Sequence, residues 1–374
     1  MSRRKPLTAA ALSIASCLLA LELAPRALEL PGLTMRDLDP IGHELSKANI
    51  EPHPYLAYAN RPHYKSRDGA KRQVSHNALG FRGPEIRQPK PEGTFRIVCL
   101  GGSSTYGHGP SSDQSTWPAR LQTKLRARRP GRDIEVINAG CRGYSTFESL
   151  GNYTFRVSDL DPDLVVVYHT VNDMRCALYL GVQRDNTHWR SVWRELPRSP
   201  LEASYTYLIW RRYLTDHFER IGDIGNFVIV DFQENLAGSS AEERPPAYQI
   251  KNDTELGYRN FHRNLRALTA LAESDEASVA FGTQAVLKQR SASEEDQVLA
   301  FEQMTNIVRK VAADTGGFLV DVQAGVAAEQ SRREAAGEPS LFINSPDVVE
   351  VHLTDDGADL VASLFADALL AAGL

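Results

Sequence analysis

Beyond about residue 94 the chain repeats one pattern. A short run of apolar and β-branched residues ends in a turn, and a longer stretch with apolar residues at helical spacing follows. Arg96–Leu100, Ile134–Ala139, Leu164–Tyr168, Ser278–Phe281 and Phe318–Val322 read as five strands. Thr116–Arg129, Glu294–Val311 and Asp355–Leu370 read as helices, the first with Thr116 placed to cap it and Pro118 in its first turn. Val298, Phe301, Met304, Val308 and Val311 share one face of the second helix. Leu360, Val361, Leu364, Phe365 and Ala368 recur at helical spacing along the third. Apolar strands alternating with amphipathic helices predict an α/β protein whose parallel sheet is covered on both faces.

Two segments break the alternation. From about 31 to 93 the chain is rich in Pro, His, Tyr and Arg without a helical period, which predicts an extended segment packed on a main domain spanning 94–374. Within it, Asn77–Gly83 alternates turn residues with single apolar ones and reads as a tight loop. Between the third and fourth strands, about 180–256 is far longer than one crossover needs, and it carries Trp189, Trp193 and Trp210. An insertion at the carboxyl end of a strand is expected over the active face, although its aromatics can equally serve to pack it down.

Residues 1–30 form a third region. Arg3, Arg4 and Lys5 precede an apolar run from Leu7 to Leu21 that continues past Glu22 to Ala24. A basic flank before an apolar segment is the pattern of an export signal or signal anchor, and it places the remainder outside the cytoplasm. Ile14–Cys17 fits a loose lipoprotein cleavage pattern, but the residues after Cys17 stay apolar and no clear small-x-small site follows, so a retained membrane anchor is expected.

The formal net charge of −5 and the lack of a basic stripe exclude a nucleic-acid footprint; the Arg-rich stretch near Arg126–Arg132 fits a solvated helix end. His53, His63 and His76 do not have the spacing of a compact ligand set, and no cysteine pair does, so neither metal nor cofactor is expected. Cys99 falls inside a strand as a small core residue, whereas Cys141 and Cys176 each follow a strand end, where an oxidising compartment permits a disulfide.

In a parallel sheet, ligands gather at the carboxyl ends of the strands. The first strand leads to Gly101-Gly102-Ser103-Ser104-Thr105, the second to Gly140 and Gly143, and the third to Thr170-Val171-Asn172-Asp173. His352 lies just before the last helix, in Val351-His352-Leu353-Thr354. Each alone is an ordinary turn, cap or surface residue; their combination, in this order and at these places, is specific.

Together they resemble the blocks of the SGNH hydrolase (GDSL lipase/esterase) family. Leu100–Gly107 is similar to the Gly-Asp-Ser block with Gly102 where Asp is usual, and Gly143 matches the second block's glycine. Thr170–Asp173 is similar to Gly-x-Asn-Asp with Thr170 for Gly, and Val349–Thr354 with Gly357 to the Asp-x-x-His block. The resemblance implies a three-layer α/β/α flavodoxin-like fold with a central five-stranded parallel sheet. It also implies Ser103 as nucleophile, His352 as its base, and an oxyanion hole of the Ser103 and Gly143 backbone N–H groups with the Asn172 amide. The expected substrate is a small-molecule, lipid or glycan ester, and the acyl group passes through Ser103 to water or to another hydroxyl.

Two departures bear on this. Thr170 adds bulk beside the oxyanion hole. Val349 stands where the family carries the acid that orients the histidine. Asp347, five residues before His352, is the expected third member if two residues are inserted after it; Glu350 is adjacent to Val349, and a Ser–His dyad is the remaining arrangement. The missing acid also leaves open a catalytically weak or inactive binding or assembly protein on the same scaffold.

Overall fold

The computed structural model describes residues 4–28, 49–53, 56, 58–66, 72–178, 182–186, 200–210, 254–288, 295–344 and 349–373. They fall into two compact units, one gathering 1–51 and 191–237, the other 52–190 and 238–374.

In the first unit, α1 (Arg4–Leu28) is a 25-residue helix. Glu22, the one charge inside its apolar run, accepts hydrogen bonds from Ser204 Oγ at 2.9 Å and the Thr206 backbone N–H at 3.1 Å. Leu12, Ile14, Leu18, Leu19, Leu21 and Leu23 are all exposed along α1. Among the described residues no helix is long and apolar enough to cross a membrane.

The second unit is built on the expected sheet. β1 (Phe95–Gly101), β2 (Ile134–Asn138), β3 (Leu164–Tyr168), β4 (Ser278–Gly282) and β6 (Phe318–Val320) form five parallel strands in the order β2-β1-β3-β4-β6. A separate antiparallel pair joins β5 (Leu287–Lys288) to β7 (Val349–Glu350).

Successive strand residues point to opposite faces, so each strand feeds two cores. Val98, Leu100, Val165, Val167, Val279 and Phe281 pack on one side with α6 (Thr254–Ser274) and α7 (Glu295–Thr315). Ile97, Cys99, Leu164, Val166, Tyr168 and Ala280 pack on the other with α3 (Trp117–Arg128), α8 (Val322–Ala336) and α9 (Asp355–Ala371). The result is a three-layer α/β/α sandwich. Trp117 stacks on Phe365 at 4.9 Å in the second core, where truncation of Phe365 to alanine is expected to cost about 3–5 kcal/mol.

The part of the extended segment in this unit folds over the loops at the carboxyl ends of β1 and β2. Asn77 Oδ1 accepts the backbone N–H groups of Leu79 and Phe81, each at 3.0 Å, closing the expected tight loop. Buried Arg82 pairs with Asp113 at 2.8 Å and donates to the Tyr106 carbonyl at 3.0 Å. His76 Nδ1 must donate to the Arg61 carbonyl at 2.8 Å, which leaves Nε2 to accept from the Tyr106 hydroxyl at 2.9 Å. Cys17, Cys99, Cys141 and Cys176 are all free thiols, so the disulfide permitted between Cys141 and Cys176 is not formed; both are buried. Most of 180–256, including Trp189 and Trp193, lies outside the described residues, while Trp210 is exposed within the first unit.

Candidate active site

β1 ends at Gly101, and the chain turns at Gly102 into the short helix α2 (Ser103–Tyr106), so Ser103 stands at the carboxyl end of a central strand. A Cβ at position 102 would lie 2.7 Å from Asn172 Nδ2 and 3.1 Å from the Tyr144 carbonyl oxygen. The site therefore has no room for the Asp that is usual there.

His352 reaches the same point from the far end of the sequence. Its Nε2 lies 2.8 Å from Ser103 Oγ, and its Nδ1 lies 2.8 Å from Glu350 Oε1. The same oxygen accepts the His352 backbone N–H at 2.6 Å. An oxygen already accepting from the backbone draws a second donor from the ring. Nδ1 thus carries the proton, and Nε2 accepts from the serine hydroxyl. The Glu350 side chain is 0% exposed, so its charge acts at low dielectric.

Asp347, the acid expected from the sequence, lies outside the described residues, and the place beside Nδ1 is filled by Glu350. The reason is local. β7 is only two residues long, and consecutive strand side chains alternate. Val349 joins the apolar core and Glu350 meets the imidazole, so the acid precedes His352 by two positions rather than three.

The second strand delivers Gly143, whose φ of +78° is a left-handed conformation that glycine adopts without strain. Its loop is fixed on both sides. The Tyr58 hydroxyl donates to the Arg142 carbonyl at 2.6 Å, and Asn60 Nδ2 donates to the Gly140 carbonyl at 2.9 Å. On the far side Ser145 caps α4 (Thr146–Asn152) in a reciprocal capping box with Glu148.

Asn172, in α5 (Val171–Leu178), gives one amide N–H to the Tyr144 carbonyl at 2.8 Å, which ties the third block to the second. Thr170 is buried, and its hydroxyl is satisfied by the His169 carbonyl. The added bulk is thereby accommodated while Asn172 keeps its bond.

Behind Asn172 lies a buried polar cluster. Asp173 accepts the Thr146 backbone N–H at 3.1 Å and the Thr146 hydroxyl at 2.5 Å, and Asn264 Nδ2 donates to the same hydroxyl at 3.2 Å. Burial outweighs these hydrogen bonds and pushes the Asp173 carboxyl up to about 7. Burial likewise holds neighbouring His169 down at about 3, with Nε2 bonded to Ser149 Oγ at 2.8 Å. The 3.8 Å approach of His169 Nδ1 to Asp173 is therefore a contact of a neutral ring with a carboxyl group, not an ion pair.

Two contributors carried no signal in the sequence. Gln284, just after β4, accepts the Val171 N–H at 2.8 Å and donates to Ser104 Oγ at 3.0 Å; that hydroxyl donates to the Val351 carbonyl at 3.0 Å. One buried glutamine thus links the helix of Ser103, the helix of Asn172 and the strand leading to His352. The second is His108, whose ring meets His352 edge to face at 4.8 Å. Burial first, then the positive charge of Arg142, pushes its pKa down to about 3.

The comparison with known families decides the affiliation: the model of the GDSL-like lipase/acylhydrolase family matches residues 99–360. The chain belongs to this family. Its five-stranded parallel sheet has the SGNH architecture, and as a family member it is a hydrolase of carboxylic ester bonds. No curated protein matches it.

Among solved structures, this GDSL-family chain is similar to LAE5, an alpha/beta hydrolase enzyme from the metagenome of Lake Arreo, Spain. Identity is 18%, covering 73% of this chain and 94% of that one, with a TM-score of 0.43. It is also similar to the acetyl xylan esterase AlAXEase at 16% identity, covering 75% and 100%, with a TM-score of 0.43. Axe2, an acetylxylan esterase from Geobacillus stearothermophilus, matches at 15% identity over 74% and 94%, with a TM-score of 0.42.

Proposed function

We propose that the chain is a serine esterase that forms an acyl-enzyme at Ser103 and works outside the cytoplasm, tethered by its N-terminal segment. The observation that carries the chemistry is the line from Ser103 Oγ through the His352 ring to Glu350, 2.8 Å at each step. Ser103 Oγ attacks the ester carbonyl while His352 Nε2 takes its proton. Glu350 steadies the resulting imidazolium and holds the ring in register.

The oxyanion is received by the Ser103 and Gly143 backbone N–H groups and by the Asn172 amide. Collapse expels the alcohol, which takes the proton from His352. Water then attacks the acyl-serine with His352 again as base, releasing the acid and restoring the serine; a sugar or other hydroxyl in place of water makes the same site an acyltransferase. Glu350 assumes the role expected of Asp347, and its presence removes the main support for an inactive binding protein.

The extracytoplasmic tether rests on the basic flank at Arg3–Lys5 and the apolar run from Leu7. The exposure of Leu12, Ile14, Leu18 and Leu19 on α1 supports it, since such side chains call for an apolar cover. Turnover of a chromogenic acetyl ester tests the chemistry: the expected result is activity in the wild type and none in Ser103→Ala or His352→Ala. Activity retained in both would contradict it. Protease accessibility in intact and permeabilised cells tests the location, and a domain protected from protease in spheroplasts would overturn that half.

A further inference from the structure

Three residues that each adjoin a catalytic group are tied to one another through a single side chain. Ser104 follows Ser103, Val171 precedes Asn172 and Val351 precedes His352. Gln284 Oε1 accepts the Val171 backbone N–H at 2.8 Å, and Gln284 Nε2 donates to Ser104 Oγ at 3.0 Å. Ser104 Oγ in turn donates to the Val351 carbonyl at 3.0 Å. The direction of this chain is fixed at both ends. The Val171 N–H can only donate and the Val351 carbonyl can only accept, so the amide oxygen faces α5 and the serine proton faces the strand leading to His352.

Gln284 lies just past β4, and the residues on either side of it are held. The Thr283 N–H donates to the Val320 carbonyl at 3.1 Å and its hydroxyl to Asp321 at 2.8 Å. The Ala285 N–H donates to the Tyr168 hydroxyl at 2.9 Å. Gln284 is 3% exposed, and Ser104, Val171 and Val351 are buried with it. Val171 opens α5, and the first N–H groups of a helix have no partner within it, so this buried end requires an acceptor from outside. An apolar side chain at 284 would supply neither that acceptor nor the donor to Ser104.

Building on the acyl-serine reading, we infer that Gln284 is a positioning residue for the reaction. It holds the Ser103 helix, the Asn172 helix and the His352 strand in mutual register, so that nucleophile, oxyanion donor and base meet at one carbonyl. Its hydrogen bonds reach none of the reacting atoms. It acts through the neighbours it ties together, where a misplacement of about 1 Å costs on the order of 10²-fold in rate. Glu350 orients the imidazole ring, whereas the Gln284–Ser104–Val351 chain sets where the backbone carrying that ring stands against Ser103.

The test measures turnover of a chromogenic acetyl ester per fluorophosphonate-reactive serine in the full chain, together with the thermal midpoint. Gln284→Met is close in shape but has neither donor nor acceptor. It should lower kcat by about 10²-fold and change KM by less than about twofold. Ser104→Ala keeps the bond to Val171 and breaks the link to Val351, and should lower kcat by about tenfold. The double variant should match Gln284→Met within about threefold, because both changes act through one chain of bonds. A lower thermal midpoint with kcat per reactive serine unchanged in Gln284→Met overturns the inference, and so do losses that multiply in full. If Gln284→Met does not fold, Ser104→Ala carries the test, and an unchanged kcat there overturns it. All of these outcomes leave the acyl-serine reading intact. Turnover that survives Ser103→Ala overturns that reading and this inference with it.

Discussion

The two sides of the site are held by different physics. On the oxyanion side, Gly143 and Asn172 are positioned by a dispersed set of hydrogen bonds: Tyr58, Asn60, Tyr144, Thr146 and Asn264 each contribute one or two. Asp173, next in sequence to Asn172, is pushed towards its neutral form by burial. On the base side, orientation and charge both come through one carboxylate, Glu350, fully buried against the ring it steadies. A dispersed network loses function in steps as its members are removed. A single buried charge does not, because its removal leaves the imidazolium unsupported.

The steepest loss is therefore expected on the line through His352. Ser103→Ala and His352→Ala should lower kcat by about 10⁴-fold or more, measured by ester turnover. Glu350→Gln keeps the shape but loses the charge and the preferred tautomer, and should cost about 10³–10⁴-fold in kcat. Asp347→Asn, measured alongside, should change kcat by less than about threefold; a larger loss at 347 than at 350 would reverse the assignment of the acid.

The oxyanion side should yield smaller steps. Asn172→Ala removes one donor and should lower kcat by about 10²–10³-fold. Gly102→Ala places a Cβ 2.7 Å from Asn172 Nδ2, so that amide has to shift. A drop of about tenfold in kcat with little change in KM is expected, since displacement of a transition-state donor leaves ground-state binding almost untouched.

The least effect on chemistry, and a clear one on stability, belongs to Asp173. Its carboxyl is raised from 3.8 to about 7 in the folded state. The unfolded chain releases that proton first, so the contribution of this group to folded-state stability falls as pH rises from about 4 to about 7, and the loss is complete above that. Thermal denaturation across this window should show the wild-type midpoint falling relative to that of Asp173→Asn as pH rises. Identical slopes would contradict the burial argument.

These contrasts also explain what could be read from the sequence. Ser103, Gly143, Asn172 and His352 each follow or precede an element whose apolar pattern is clear, so position in the fold and position in the chain coincide. The sheet was legible for the same reason: β1 and β3 alternate Ile97, Val98, Cys99 and Leu100, or Val165, Val166 and Val167, between two apolar layers. Glu350 was obscured because a two-residue strand gives no pattern, and its pairing with Leu287–Lys288 decides which neighbour turns inward. Gln284 and His108 resemble ordinary polar residues until their burial and their partners, Val171 and His352, are known. Their importance lies in tertiary proximity, which no local period encodes.

The central claim is that the acyl group is carried by Ser103 under the control of His352 and Glu350. It is tested most directly by fluorophosphonate labelling followed by peptide mass spectrometry. The account predicts a single adduct on Ser103 in the wild type, none in His352→Ala, and much slower formation in Glu350→Gln. An adduct on another residue, or labelling of Ser103 at the wild-type rate in Glu350→Gln, would contradict it.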